Sequence, residues 1–315
     1  MLVGLAPLAG FTESAFRRLC RKLGAQFTWT ELISANFVLN RGLSHPSTHV
    51  FPEERPLRFQ LQGAEVGPLA RAAQKVLSHL APEGLDLNAG CPARKVVKTG
   101  AGAALLADLP RLFEIARTLS EIAHAFGCDF SVKFRLGFER DELERIAETL
   151  LEAGVDLLVL HPRTAKEGFS GRARWERIRD LVRLSGERAR VYGSGDIRSL
   201  SDLQEFFAST GAHGALIGRA ALSRPWIFTE WREKRSFEPG LSERLSLLRK
   251  LSRYLSAYRD EEGTLRVLKA FAPKFLKGIP HRRRLMPPLL KAKTLEHFWE
   301  VLEAGLKEGL IRGEL

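Results

Sequence analysis

Cysteine is scarce in this 315-residue sequence, and its placement excludes two common structural devices. Cys20, Cys91 and Cys128 are odd in number and far apart, and they form no C-x-x-C pair. Neither a disulfide framework nor a zinc site fits that pattern. We therefore expect free thiols, no metal and a reducing compartment.

Long apolar runs are also missing. The longest, such as "DLLVLH" at 156–161, are far shorter than the roughly 18 residues that a membrane helix needs. The first residues, "MLVGLAPLAG", lack the positive and extended apolar regions of a secretory signal. These absences predict no membrane span and a cytoplasmic location.

Positive charge is abundant and unevenly distributed. The net charge is +12, and residues 231–315 contribute +8 of it, with 19 Lys and Arg against 11 Asp and Glu. A basic segment of this kind is typical of a surface for nucleic-acid phosphates. A well-solvated basic helix bundle would show the same excess.

Short β-rich runs alternate with amphipathic helical stretches as far as about residue 230, a pattern of parallel strands joined by crossover helices. The predicted helices include 65–79, 110–126, 139–153 and 199–210, the last capped by a serine of "SLSD". The eight candidate strands are 2–7, 26–31, 57–62, 85–88, 129–135, 155–161, 189–195 and 213–218. Eight such units favour an α/β fold of the (β/α)8 TIM-barrel type over a doubly wound sheet.

The pattern changes after "RPWIF" at 224–228, where strands stop. Leucines recur at spacings of three and four over 242–259, the period of an amphipathic helix, and more helices are predicted at 264–276 and 294–308. We therefore predict a barrel domain, residues 1–235, followed by a small basic all-helical domain, residues 236–315.

Reactive groups of a TIM barrel lie at the C-terminal ends of its strands, where the βα loops gather. Seven of the predicted strand ends carry unusual residues, so these residues should meet at one mouth. They are Pro7, Leu8, Ala9 and Gly10, then Gln60, then Asn88 and Cys91, Lys133 and Arg135, His161 and Arg163, Ser194, Gly195 and Asp196, and finally Gly218 and Arg219.

Several of these residues also have a purely structural explanation. Lys133 and Arg135 share one face of a strand and form an anion site only if that face points into the barrel. Their apolar neighbours Val132 and Phe134 favour this direction, because they would then face the helices. His161 could equally be a structural histidine, and the glycine turns after the last two strands could simply be tight loops.

The two glycine turns nevertheless point to a phosphate. Backbone N–H groups after strands seven and eight, with a helix N-terminus behind them, form the recurrent phosphate site of this barrel, and Arg219 adds charge. Together with Lys133, Gln60 and the backbone turn at Pro7, this site suits flavin mononucleotide (FMN). An ammonium stabilises the charge of reduced flavin near N1, and a glutamine amide can pair with the ring edge.

With these residues in place, the sequence resembles the tRNA-dihydrouridine synthases, FMN-dependent oxidoreductases that reduce specific uridines in tRNA. The cysteine motif with its lysine-glycine continuation is the most specific part of the resemblance. The matching motifs occur in the family's order over residues 4–228 and are "APLAGFTESAFRRLC", "QLQG", "DLNAGCPARKVVKTGAGAALL", "SVKFRLG", "HPRTAKEGFSGRARW", "SGDI" and "IGRAALSRPWIF".

The resemblance implies a role for each matching residue. Cys91 would be the proton donor, and NADPH or NADH would be the reductant. Leu8 and Ser194 stand where the family often has methionine and asparagine, and Ser223 and Arg224 replace a frequent glycine and asparagine. The implied flavin contacts are Pro7, Leu8, Ala9, Gln60, Lys133, His161, Ser194, Gly195, Asp196, Gly218 and Arg219.

The chemistry of uracil explains why a cysteine would be needed. Hydride from the flavin N5 would enter the base at C6 and leave enolate character at C5, so a proton must follow. A thiol with an ordinary pKa of about 8.5 is mostly protonated at neutral pH and can supply that proton. Asn88, close to Cys91 in sequence, could hydrogen-bond the uracil edge.

A uridine inside folded tRNA must be flipped out to reach the barrel mouth, at a cost of about a few kcal/mol. Phosphate contacts have to offset that cost, and the basic tail with "HRRR" at 281–284 is their natural source. Because the substrate is large, we expect a monomer. Besides Asn88, the predicted substrate contacts are Lys95, Lys98, Arg135, Arg163, Arg282, Arg283 and Arg284.

Two other functions fit part of the pattern. A flavin-dependent dehydrogenase of a small pyrimidine would leave the basic tail unused, and an RNA-binding barrel without catalysis would leave Cys91 and Lys133 unexplained. A flavin spectrum excludes the second alternative, and dihydrouridine formation in unmodified tRNA excludes the first.

Overall fold

Eight parallel strands close into a barrel in the computed structural model, which describes residues 1–279 and 282–311, the last six as backbone alone. Within the described ranges the strands are β1 (Leu2–Leu5), β2 (Thr28–Trp29), β3 (Ile33–Ser34), β4 (Leu57–Gln62), β5 (Gly84–Ala89), β6 (Asp129–Arg135), β7 (Leu157–His161), β8 (Arg190–Ser194) and β9 (Gly214–Ile217). Around the ring the strands pair in the order β2–β1–β9–β8–β7–β6–β5–β4, and the pairing of β2 with β4 closes the ring. The predicted (β/α)8 barrel is confirmed.

The predicted second strand, 26–31, is too long. Only β2 joins the ring there, and the short strand β3, which the sequence pattern does not predict, pairs with the C-terminal end of β4 through Ile33 and Leu61. A strand of a parallel sheet is hydrogen-bonded to strands that are distant in sequence. A strand of only two residues is therefore too short to show the residue pattern that predicts a strand.

Helices cover the outside of the barrel and form the tail. The predicted helices 65–79, 110–126, 139–153 and 199–210 are present with ends shifted by at most four residues, and Ser199 Oγ accepts from the backbone N–H of Asp202 at 3.1 Å, as a cap should. The helices are α1 (Ser14–Lys22), α2 (Ala35–Arg41), α3 (Val66–Leu80), α4 (Arg94–Val97), α5 (Leu109–Ala125), α6 (Leu143–Glu152), α7 (Trp175–Ser185), α8 (Leu200–Thr210), α9 (Arg219–Ser223), α10 (Ile227–Glu233), α11 (Leu241–Leu255), α12 (Glu261–Phe275), α13 (Arg282–Lys291) and α14 (Leu295–Ile311).

Helix α13 is absent from the sequence prediction because it contains Pro287 and Pro288. Proline lacks the backbone N–H that a helix uses and normally argues against one. The tertiary packing of the tail outweighs this local preference, since Leu289 of α13 is fully buried.

The strands of the barrel have an apolar outer face and a mixed inner face. Val132 and Phe134 belong to the core between strands and helices, as predicted. A separate apolar cluster fills the barrel interior and includes Phe27, Trp29 and Tyr192. Residues alternate along a strand, so Lys133 and Arg135 point inward.

The helical tail packs directly on the barrel. The Phe271 ring of α12 lies 4.8 Å from the Phe16 ring of α1, measured between centroids. The Tyr258 hydroxyl donates to Glu13 at 2.8 Å, and Arg259 Nε donates to the same carboxylate at 2.7 Å. Barrel and tail share one hydrophobic core, so the change of secondary structure near residue 235 is not accompanied by a break in packing.

Two arginines fasten the segment between barrel and tail. Arg224 pairs with buried Glu230 at 2.6 Å and with Glu238 at 3.1 Å. Arg244 contacts Glu238 as well and donates to the Lys277 carbonyl at 2.6 Å. Arg224 therefore holds the connection to the tail.

No helix among the described residues is long and apolar enough to cross a bilayer. Nor does the described part of the chain contain a group of three or more His, Cys, Asp or Glu side chains arranged to hold a metal ion.

Candidate active site

A cavity of about 960 Å³ opens at the C-terminal ends of the strands. Pockets for small ligands and cofactors usually measure roughly 300–1,000 Å³, so this one has room for a large ligand. Most of the predicted site residues meet on its wall. Those that do are Pro7, Leu8, Ala9, Asn88, Cys91, Lys133, Arg135, His161, Ser194, Gly195, Asp196, Gly218 and Arg219.

Cys91 lies half-buried in the loop after β5, and hydrogen bonds hold this loop on both sides. Asn88 Oδ1 accepts from the backbone N–H groups of Gly90 at 3.2 Å and Cys91 at 3.0 Å. The Cys91 carbonyl accepts from Ala103 N–H at 3.0 Å. Gly102, at φ +61°, passes so close that a Cβ would lie 2.7 Å from that carbonyl. The thiol is therefore attached to a fixed turn.

Lys133 of β6 is paired in register with Asn88 of β5. Its ammonium has no hydrogen-bond or ion-pair partner among the residues that the structure describes. Burial, and then repulsion from Arg135, lower the pKa of Lys133 to about 8, while Asp86 acts in the opposite direction. A positive charge without a protein partner on a cavity wall favours an anionic ligand.

His161 of β7 is neutral. Burial, followed by the positive charges of Lys133 and Arg135, lowers its pKa to about 2. A guanidinium can only donate, and Arg163 Nη1 lies 3.4 Å from His161 Nε2, so we infer that the ring proton is on Nδ1, 3.5 Å from Ser194 Oγ. The ring thus lines the cavity without adding charge to its wall.

The loop after β8 has a backbone shape that few residues adopt. Gly195 has φ +107° and Asp196 has φ +56°. At Gly195 a Cβ would come within 2.9 Å of Ala173 Cβ, so this position requires glycine. Asp196 is held in its conformation by Arg163 Nη2 at 2.6 Å and by Ala173 N–H at 2.8 Å. Behind Gly218, after β9, stands the five-residue helix α9.

A model of the dihydrouridine synthase (Dus) family matches residues 4–300. The chain belongs to the dihydrouridine synthase family. It is 39% identical to a "Probable tRNA-dihydrouridine synthase" of Aquifex aeolicus over 98% of this chain and 96% of that protein. It is 35% identical to tRNA-dihydrouridine synthase B of Pseudomonas aeruginosa, over 72% of this chain and 67% of that protein.

The fold is shared more widely than the family. A solved 2-naphthoyl-CoA reductase in complex with 2-naphthoyl-CoA aligns with a TM-score of 0.55 at 10% identity, covering 74% of this chain and 50% of that one. At this identity the likeness concerns the barrel alone.

Two predicted contact residues of this family member do not reach the cavity wall. Gln60 is fully buried, and its amide binds the side chains of Asp86 and Asn88. Arg163 is 1% exposed and donates to Asp196 and to the carbonyls of Ser170 and Gly171. Because its N–H groups are used inside the protein, Arg163 braces the β8 loop instead of facing RNA.

Other predicted substrate residues lie away from the cavity or are already engaged. Arg135 is on the wall, but it donates to the carbonyls of Gly90, Thr164 and Gly168. Lys95 and Lys98 are exposed on and just after α4. A second cavity of about 360 Å³ is lined by Arg282, Arg283 and Arg284 together with Gly278 and Ile279. His281 lies outside the described residues.

Some residues of the cavity wall were not predicted from the sequence. Phe169 is 57% exposed, and the Arg219 guanidinium lies 4.2 Å from its ring centroid. The only local signal is an apolar residue in the polar loop "KEGFSG". Glu238 and Lys277 reach the cavity from beyond the barrel, and nothing in their neighbourhood in sequence indicates this.

Below the wall, the family member carries a buried carboxylate that sequence reasoning also misses. Asp86 is fully buried, and burial raises its pKa to about 6, although hydrogen bonds from Ser131 and Gln60 act in the opposite direction. Burying a carboxylate costs free energy unless hydrogen bonds compensate it, and Gln60 and Ser131 both donate to Asp86. We therefore expect Asp86 to have a specific role in the structure.

Proposed function

We propose that this protein is a tRNA-dihydrouridine synthase that reduces the C5=C6 bond of specific uridines in tRNA, with FMN as cofactor and NADPH or NADH as reductant. The observation that carries the proposal is the meeting of Cys91, Asn88 and the ammonium of Lys133, which has no partner among the described residues, on one cavity wall. Membership of the dihydrouridine synthase family supports the reaction, and the names of the relatives support tRNA as substrate.

The residues present fit FMN. Four cations, Lys133, Arg135, Arg163 and Arg219, surround the neutral His161, and their field suits a phosphate and a ring that becomes negative on reduction. The turns at Gly195 and Gly218 would hold the phosphate, and Lys133 would face the ring. When bound, FMN supplies the hydride that enters uracil at C6.

Cys91 would then complete the reaction as the general acid. Its thiol donates a proton to C5 of the base, and it can do so because Asn88 fixes the backbone of its turn. The same cavity has room for a base that is flipped out of the tRNA.

The three tail arginines are the proposed contacts to the RNA backbone. Gly278 lines both cavities, so Arg282, Arg283 and Arg284 stand next to the mouth through which a flipped uridine enters. Arginine binds phosphate oxygens in a bidentate manner and carries no sequence information by this contact. Lys95 and Lys98 are proposed to add further phosphate contacts on the side of the Cys91 loop.

Activity on tRNA is the direct test of this function. We expect the purified protein to show a flavin absorption spectrum and to form dihydrouridine in unmodified tRNA when NADPH is supplied. A flavin spectrum with reduction of a free pyrimidine, but not of tRNA, would favour a small-molecule dehydrogenase instead.

Changing all three tail arginines to glutamine should weaken tRNA binding and reduce the dependence of log Kd on log salt by up to about 3 in slope, because each phosphate contact releases counterions. Binding would be titrated at several salt concentrations, and the flavin content should not change. The matched control replaces Arg117, Arg145 and Arg188, exposed arginines on the outer helices and their loops. Equal loss in both triple variants would contradict a specific RNA surface.

A further inference from the structure

Three buried polar side chains form a hydrogen-bonded relay below the cavity. Asp86 and Gln60 are fully buried, and Asn88 is 6% exposed. Gln60 Nε2 donates to Asp86 Oδ2 at 2.7 Å, and Asn88 Nδ2 donates to Gln60 Oε1 at 2.9 Å. Since Asn88 also holds the backbone of Cys91, the relay connects a buried carboxylate with the turn of the proposed acid.

The direction of every hydrogen bond in this relay is determined from both ends. A carboxylate only accepts, so Asp86 requires the amide nitrogen of Gln60 and leaves its oxygen for Asn88. At the other end, the N–H groups of Gly90 and Cys91 require the Asn88 oxygen and occupy both of its lone pairs. Asn88 therefore has one group left for a ligand, its second N–H, which has no acceptor among the described residues.

We propose that this relay makes Asn88 an obligate hydrogen-bond donor to O4 of the flipped base, so that uracil is accepted and cytosine is rejected. The inference rests on the proposed function. Cys91 would protonate C5, and C4 is bonded to C5. Asn88, which holds the Cys91 turn, would therefore lie next to the substituent on C4. Uracil offers a carbonyl oxygen there, whereas cytosine offers an amino group that would meet a second donor.

The same N–H also assists the reaction. As the hydride forms the C6–H bond, the electrons of the C5=C6 bond shift toward O4 as an enolate. They return to form the C5–H bond with the proton of Cys91, which is left as a thiolate. A donor fixed at O4 is strongest when the negative charge is there, which is the general basis of oxyanion stabilisation. Asp86 and Gln60 act through Asn88 and are positioning residues.

Moving the carboxylate from one end of the relay to the other tests the direction of the hydrogen bonds between them. Asn88→Asp alone places carboxylates on both sides of Gln60, whose amide can donate to one of them only, and we expect the protein to unfold at a lower denaturant concentration. In the double variant Asp86→Asn/Asn88→Asp, the new asparagine can donate to Gln60 and Gln60 to the new aspartate. This double variant should regain most of the lost stability.

Turnover distinguishes the relay from simple structural support. Both variants with Asn88→Asp should form dihydrouridine in tRNA at least about 100-fold more slowly than the wild type, because neither offers an N–H at O4. Turnover within about threefold of wild type would overturn the role at O4. Strictly additive effects of the two substitutions on stability would overturn the relay.

A second double variant, Asn88→Asp/Asp129→Asn, is the control for charge. It has the same net charge, but Asp129 pairs with Arg58 and Arg190 outside the relay, so its effects should add. The stability measurements need no substrate. A wild type that forms no dihydrouridine in tRNA would overturn the proposed function and the role at O4. If the wild type is active but the effects of Asp86→Asn and Asn88→Asp on stability are additive, the relay alone would be overturned.

Discussion

Replacing Cys91 with alanine is expected to lower dihydrouridine formation in tRNA at least about 100-fold, the usual loss when a general acid is removed. The proposed flavin contacts lie on other loops, and the turn at Cys91 is held by its backbone, so the variant should fold and stay yellow. Reduction of the flavin by NADPH should therefore continue, while transfer to the uridine stops. Single-turnover reaction of the reduced enzyme with tRNA measures this second step by itself.

Cys128→Ala is the matched control. Cys128 directly precedes β6 at the opposite end of the barrel, where its thiol donates to the carbonyl of Pro82 at 3.5 Å. Burial raises the pKa of this thiol to about 11. Its removal should affect stability and leave dihydrouridine formation near the wild-type rate. If Cys91→Ala formed dihydrouridine within about threefold of wild type, Cys91 would not be the acid.

Lys133→Met should weaken FMN binding at least about tenfold, because a charge-assisted hydrogen bond contributes about 1.5–3 kcal/mol. Methionine has nearly the length of lysine without its charge, so the packing of β6 should be preserved. The effect is expected to be large because the ammonium of Lys133 has no partner within the described part of the chain and is free to bind a ligand. Fluorescence titration of the flavin-free protein with FMN gives the Kd.

The pH dependence of FMN binding provides a second measurement on Lys133. Its pKa is lowered to about 8, so the side chain is charged below pH 8 and neutral above it. Affinity of the wild type for FMN should therefore fall as the pH rises through about 8, and the fall should be absent in Lys133→Met. Lys22→Met, on the exposed end of α1, should bind like the wild type. Equal pH profiles for Lys133→Met and the wild type would exclude this role.

The fold was largely predictable from local sequence patterns. Strands and helices of a (β/α)8 barrel each contain a periodic arrangement of apolar residues, and helix caps such as Ser199 mark their ends. Strand β3 and helix α13 lack such a pattern, and the sequence did not indicate them. Strand β3 is two residues long, and α13 contains two prolines. Both depend on packing against partners distant in sequence.

The positions of the candidate site residues were predictable for a related reason. Cys91 follows a barrel strand, while Lys133 and His161 lie near the C-terminal ends of theirs. The closed ring of strands brings all these ends to one face. Their convergence follows from the order of the elements and needs no knowledge of individual contacts.

The sequence by itself thus determined the barrel, the family motifs and the residues at its mouth. Only the tertiary structure decided which polar groups are free to act. Gln60 and Arg163 stand at strand ends like Lys133, yet their hydrogen bonds are taken by Asp86, Asn88 and Asp196. Whether a buried polar group is satisfied depends on partners supplied by other strands and loops, and that information is not local to any segment of the chain.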